Sequence, residues 1–203
     1  METSGGTFPR TGPGEKKMAQ RARRKARYED LCNLPDHLVG EIVNGELVAT
    51  PRPLYRHGRV AAGLMEEVGP PYQRGRGGPG GWWILPEPEI HLGDHVLVPD
   101  LAGWRRERMP ALPEGNWTSL PPDWVCEILS PGTVRLDRVI KVPIYGESRV
   151  GFLWLVDPGN RSLEVFRLEA NRWLLLGSFA ETDKARAEPF QEIEIDLADL
   201  WAG

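Results

Sequence analysis

Two runs of this chain are apolar on both faces, Trp124-Val-Cys-Glu-Ile-Leu129 and Gly151-Phe-Leu-Trp-Leu-Val156. Successive side chains of a strand point to opposite sides, so an unalternating run fits a strand only where layers cover both sides of its sheet. The segment between them narrows the fold further. Ser130-Pro131 sets an N-cap residue ahead of a proline in the first helical turn, where the missing N–H costs no bond. The spacing predicts a helix from there to about Glu147, bent or ended early at Pro143. Strand, helix, strand in that order is a right-handed crossover with parallel strands. Such sheets carry their sites beyond the carboxyl ends of the strands.

The flanking segments read as shorter elements. Gly40-Glu-Ile-Val-Asn-Gly-Glu-Leu-Val-Ala-Thr50 holds two short apolar runs around Asn44-Gly45, the signal of a tight hairpin turn. His57, Val60, Ala61, Leu64, Met65 and Val68 recur at helical spacing, which predicts a helix over about 52–68. The Gly/Pro-rich stretch Gly69–Gly81 is expected to end it as a loop with Arg74 and Arg76 at the tip. Trp82–Leu92 and His95–Trp104 read as strands joined at Gly93-Asp94. A two-residue turn would set Leu92 against His95 and, counting outward, Glu87 against Asp100, so that Glu87, Glu89, His91 and Asp100 share a face. Pro86 and Pro88 predict an edge or a bulge in the first strand.

Met109–Pro122 is a Pro-rich link. Beyond Arg161, the segments Leu163–Leu168, Trp173–Phe179 and Glu188–Ile195 read as meander strands, and Asp196–Trp201 as a closing helical turn. The expected fold class is α/β with α+β character: a mixed central sheet flanked by helices, extended by an antiparallel C-terminal meander.

Composition places limits on function. The chain has 203 residues, 40% hydrophobic and 27% charged, as expected of one globular domain and unlike collagen-like or disordered chains. No run reaches membrane-spanning length, no secretory signal leads the chain, and the two cysteines, Cys32 and Cys126, suit neither a disulfide scaffold nor a zinc site. A cytoplasmic setting is the simplest expectation. The formal charge of -4 conceals an asymmetry, because residues 1–30 hold eight Lys/Arg against four acids. The other residues carry 17 of the 25 basic and 25 of the 29 acidic side chains. Residues 1–30 are therefore expected to be a basic leader, unstructured or partly helical over Lys16–Tyr28, ahead of a domain over 31–203. Such an arm either binds phosphates or is simply solvated.

Two carboxylates stand in unsuitable surroundings. Glu127 lies within Val-Cys-Glu-Ile-Leu and Asp100 ends Val96-Leu-Val-Pro-Asp100. A buried, unpaired carboxylate costs several kcal/mol, so each calls for a cation or donors. Asp137, Lys141 and Tyr145 follow at i, i+4 and i+8, one stripe of the predicted helix beside Leu136, Ile140 and Ile144. Two acids and a lysine at a strand end match metal-assisted phosphodiester hydrolysis, in which carboxylates hold Mg²⁺ and an ammonium orients water or neutralises charge. A structural Glu–Lys ion pair accounts for the same residues equally well.

Several stretches together resemble one family: Glu41–Val48, His57, Val98-Pro-Asp100, Pro122–Pro131, Asp137, Lys141, Tyr145 and Trp154-Leu-Val-Asp-Pro158. In order and spacing, from about Leu34 to Phe166, they look like the Uma-type restriction endonuclease family of the PD-(D/E)XK nuclease superfamily. The resemblance implies a restriction-endonuclease-like fold, Mg²⁺ as cofactor with Mn²⁺ as a substitute, nucleic acid and above all DNA as substrate, and a homodimer as one assembly. Residue by residue it implies Asp100 and Glu127 as metal ligands. Leu129 occupies the superfamily's usual lysine position, and Lys141 on the next helix takes that role. Glu41, His57, Glu89, Asp137 and Tyr145 are supporting candidates. His57 also reads as a core histidine, one of Glu87 and Glu89 as a surface residue, and Asp157 as the cap of a turn with Pro158-Gly159.

Three functions compete. The first is a Mg²⁺-dependent endonuclease with Asp100 and Glu127 on the metal and Lys141 orienting the attacking water. The second is an inactive nuclease-like binding or assembly module, which the acidic body favours. The third is a small-molecule metallohydrolase that uses His57 with the same acids.

Overall fold

A computed structural model describes residues 24–52 and 54–202. The basic leader lies outside the described residues as far as residue 23, and residues 24–27 are not helical. Ala26 N–H donates to the Gly45 carbonyl at 2.7 Å, which ties the chain to the body ahead of Leu31. A short helix α1 (Tyr28–Cys32) follows, then strands β1 (Leu38–Val43) and β2 (Glu46–Pro51). Their turn residues Asn44 and Gly45 have φ of 53° and 76°, the left-handed pair of a tight hairpin turn.

Helix α2 (Tyr55–Val68) buries Val60, Leu64 and Val68, as its spacing predicts. It does not stop at Gly69, however: Gly69–Gln73 continue as a π-helical turn, with Arg74 N–H donating to the Gly69 carbonyl. Pro70 and Pro71 have no N–H to donate, and the wider turn carries the chain past them.

The two long strands expected over 82–104 are four short ones: β3 (Trp82–Pro86), β4 (Glu89–Leu92), β5 (His95–Leu97) and β6 (Leu101–Arg105). The predicted register holds throughout, since Leu92 pairs with His95, Pro86 pairs with Leu101, and Glu87 N–H donates to the Asp100 carbonyl at 3.0 Å. The hairpin changes sheet midway, however. Glu87 has φ of 45° and precedes Pro88, and Pro99 interrupts the partner, so β4 and β5 leave for a second sheet.

Next come β7 (Trp117–Thr118), β8 (Trp124–Ile128), a helical course through a π-helical stretch at Leu136–Lys141 into α3 (Val142–Glu147), and β9 (Phe152–Asp157). The helix runs through Pro143, with the wide turn just ahead of it. Strands β8 and β9 are parallel, as the crossover requires. Strands β10 (Ser162–Glu169) and β11 (Arg172–Ala180) extend the sheet antiparallel. The chain closes with β12 (Lys184–Ala185), β13 (Ile195–Asp196) and α4 (Leu197–Trp201), the last capped by Asp196. The strand expected over Glu188–Ile195 is instead a series of turns that drops Phe190 into the core.

Among the described residues, the mixed sheet has the order β11-β10-β9-β8-β6-β3 and the second sheet β2-β1-β5-β4-β7. Alternate residues of β8 serve opposite layers. Trp124, Cys126 and Ile128 pack with α2, α4 and Phe190, while Val125 and the following Leu129 pack with α3 and the second sheet. No helix among the described residues is long and apolar enough to cross a membrane.

Candidate active site

Strand alternation decides where Glu127 points. It shares a face with Val125 and Leu129, the side covered by α3, and so meets the helical stripe there. Leu101 pairs with Cys126 across β6 and β8, and one further step in this antiparallel register sets Asp100 opposite Glu127. Directly opposed residues share a face, so both acids emerge together where β8 ends.

Lys141 meets them from the helix. Its Nζ lies 2.8 Å from Glu127 Oε1, 2.9 Å from Glu41 Oε1 and 3.5 Å from Asp137 Oδ1, and only 2% of its side chain is exposed. Tyr145 donates its hydroxyl to the same Glu127 oxygen. Glu41 on β1 also accepts the Val98 N–H at 2.8 Å, which ties the second sheet to the cluster. Asp100 accepts the Ile128 N–H at 2.6 Å on one oxygen, and its other oxygen lies 3.1 Å from Nε2 of His57 on α2. The opposite ring nitrogen of His57, Nδ1, is buried without a partner.

Four carboxylates thus face one ammonium and one imidazole. Burial pushes the Glu127 carboxyl well above the ordinary carboxylate range, and the charges of Asp137, Asp100 and Glu41 add to this against the pull of Lys141. Burial likewise raises Asp137, again opposed by Lys141. For Lys141 itself burial favours the neutral amine, yet Glu127, Tyr145, Glu41 and Asp137 together hold its pKa well above the usual lysine value. His57 follows the same balance: burial disfavours its charge, but the Asp100 carboxylate outweighs it and the imidazole pKa rises.

The cluster forms the acidic floor of a cleft of about 610 Å³. Val39, Val98, Leu129 and Leu136 contribute apolar wall, and Arg52 and Arg56 lie along it. The donor set suits a hard divalent cation, being made of carboxylate oxygens with a surplus of negative charge that raises the proton affinity of Glu127 and Asp137. Among the described residues no three His, Cys, Asp or Glu side chains form a ready-made metal cage. Mg²⁺ commonly takes one or two carboxylates and keeps several waters, which Asp100 and Glu127 can accommodate.

Of the residues singled out from sequence, Asp100, Glu127, Lys141, Glu41, His57, Asp137 and Tyr145 come together. Glu89 does not. Its carboxylate lies 2.8 Å from His91 Nε2, and His91 is stacked under Trp117. The cause is the sheet change at Glu87-Pro88, which sends Glu89 away and leaves Glu87 on the cleft wall. Asp157 caps the Gly159-Asn160 turn, as expected. The sequence reading missed Thr133, whose hydroxyl bonds Asp137, and the cleft positions of Ser130 and Leu54. Only the Ser130-Pro131 helix start hinted at any of these.

Residues 26–198 match the model of the Uma2 family, described as "Putative restriction endonuclease". Among solved structures the chain is similar to a protein from Anabaena variabilis described as "a putative nuclease belonging to DUF820". That match has a TM-score of 0.65 and 23% identity and covers 85% of this chain and 96% of the other, a likeness of fold. No curated protein matches the chain. The matched span includes Glu41, His57, Asp100, Glu127 and Lys141, and the chain belongs to the Uma2 family.

Proposed function

We propose that this protein is a metal-dependent endonuclease that hydrolyses phosphodiester bonds in DNA, with Mg²⁺ as the resident cation and Mn²⁺ as a substitute. One observation carries the reading: Asp100 and Glu127 emerge side by side on one face of the sheet, against a lysine buried by its own ion pairs. In this reading Asp100 and Glu127 hold the metal. A metal bound there lowers the pKa of a coordinated water and neutralises charge developing on the phosphoryl oxygens. The chain's own residues prepare the ligands. Lys141 and Tyr145 grip a single oxygen of Glu127 and fix its orientation, and Lys141 offsets part of the negative charge. Asp137 steadies Lys141, while the Ile128 N–H and His57 orient Asp100. The free thiols of Cys32 and Cys126 accord with a cytoplasmic setting.

One feature favours a second reading, a nuclease-like fold that binds without cutting. Three carboxylates lie 2.8–3.5 Å from the Lys141 ammonium, so an attacking water has to compete with them for it. Supercoiled plasmid separates the two. Nicking by wild type with Mg²⁺ or Mn²⁺, its loss in chelator, and a drop of about a hundredfold or more in Asp100→Asn and Glu127→Gln are expected, the scale on which charge-stabilising groups act. Metal binding without nicking supports the inactive module, and nicking that survives both substitutions removes the site assignment.

A further inference from the structure

We infer that Arg74, Arg76, Arg105 and Arg106 form an anchor for the phosphate backbone of duplex DNA, at the end of the sheet opposite the cleft. The choice of DNA rests on the nuclease reading, to which the anchor adds a second contact surface. Backbone pairing brings the four arginines together. Trp82 pairs with Arg105 across β3 and β6, and Arg106 N–H donates to the Gly81 carbonyl at 2.8 Å. The Arg106 guanidinium donates to the Gln73 carbonyl at 2.9 Å, next to Arg74 in sequence. Gly75 and Gly80 pack backbone to backbone, which folds the loop carrying Arg74 and Arg76 onto the same end of the sheet. Arg105 ends β6 five residues beyond Asp100, about 17 Å at the rise of a strand. The anchor and the cleft therefore meet different phosphates.

The chain is acidic overall, yet among the described residues none of these four guanidiniums has a carboxylate within 4.0 Å, although the exposed Glu107 stands in the same turn. Other arginines are neutralised, Arg108 by Asp123 and Arg167 by Glu169 and Glu188. Two of the four are also fixed in place. Arg105 lies over the Trp82 ring at 4.7 Å and Arg106 over the Trp83 ring at 4.0 Å, and an indole face holds a guanidinium without consuming its N–H donors. A free arginine gives up rotamer freedom when it binds, whereas a stacked one has already done so. Its planar fork then matches two phosphate oxygens at once. Five of residues 75–81 are glycine, which lets a bulky backbone come close. A lipid surface suits this end of the sheet less well. No large hydrophobic side chain over 69–83 or 101–109 is exposed, so nothing there would enter a bilayer.

The test is the fluorescence anisotropy of a short labelled DNA duplex with the full-length protein in chelator, where no cleavage occurs, titrated over a range of salt. Replacing both loop arginines, Arg74→Gln with Arg76→Gln, is expected to weaken binding about tenfold or more and to flatten the dependence of log affinity on log salt by about 1.8, as for two lost phosphate contacts. Both side chains are exposed, so the unfolding midpoint should stay at the wild-type value. Arg105→Gln should flatten the slope by about 0.9. Arg74→Lys with Arg76→Lys should keep the wild-type slope, and Arg172→Gln, which alters an exposed arginine on β11 at the other edge of the sheet, should change nothing. Duplex affinity and salt slope indifferent to the paired glutamine changes overturn the inference, as does their abolishing binding to phosphatidylserine vesicles while duplex binding persists. Plasmid nicking reads the nuclease assignment separately. Duplex binding that depends on these arginines in a protein that never nicks removes that assignment alone, and nicking with binding indifferent to them removes this inference alone.

Discussion

The two faces of β8 are built on opposite principles. Toward α2 and α4, Trp124 meets Trp154 and Phe190 edge to face at 5.1 and 4.9 Å, and Phe190 also contacts Tyr72 and Trp82. Toward α3, the residue between Cys126 and Ile128 is Glu127, held by Lys141 and Tyr145. One face gains stability from apolar area and ring packing. The other gives some up, because buried ion pairs recover their desolvation cost only in part. A strand with a period of two can carry both, which lets the fold support its site from the far side of the same backbone.

Three experiments sharpen or break that comparison. The largest effect is expected for Phe190→Ala, about 4 kcal/mol of stability by denaturant unfolding, as for other buried aromatics truncated to a cavity. A loss under about 1 kcal/mol would mean that the aromatic layer does not anchor the fold. Next is Lys141→Met, which leaves Glu127, Glu41 and Asp137 facing one another and is expected to cost about 3 kcal/mol. Adding Glu127→Gln to it should recover most of that stability while cleavage stays absent. If the pair of changes proves as unstable as the single one, the polar face contributes to stability after all.

The smallest effect concerns pH. Glu127, Asp137 and His57 all have folded pKa values above their ordinary ones. A group raised on folding contributes stability below its unfolded pKa and loses it as pH climbs through the folded value. Metal-free protein should therefore lose on the order of 1 kcal/mol between about pH 5 and pH 8, and Glu127→Gln should flatten the curve. Stability that rises across this window would contradict the assignment of Glu127 and Asp137 as carboxyls held reluctantly charged.

The legibility of these regions from sequence differed for physical reasons. The Asn44-Gly45 turn and the α2 face were readable because each depends on neighbours within a few residues, and the parallel crossover because the order strand, helix, strand leaves one connection open. The register linking Glu87 to Asp100 was also readable, since a two-residue turn sets every later pair by counting. The departure of β4 and β5 into another sheet was not, and that sent Glu89 to His91 instead of the cleft. Pro86 and Pro88 showed that the strand would break, but not where its second half would find partners. The Phe190 segment escaped for a similar reason, because alternation there resembles a strand while the ring is drawn in by four aromatics distant in sequence.

By itself the sequence determined which side chains are chemically unusual: a glutamate in an apolar strand, an aspartate after Val-Pro, and a lysine on the stripe of the next helix. It could do so because hydropathy and periodicity are local properties. That Glu41 from another sheet shares Lys141 with Glu127 and that His57 bonds Asp100 were decided by tertiary structure alone. Each depends on where strands β1, β6 and β8 and helix α2 end relative to one another, and those positions follow from packing summed over the whole core, not from any one segment.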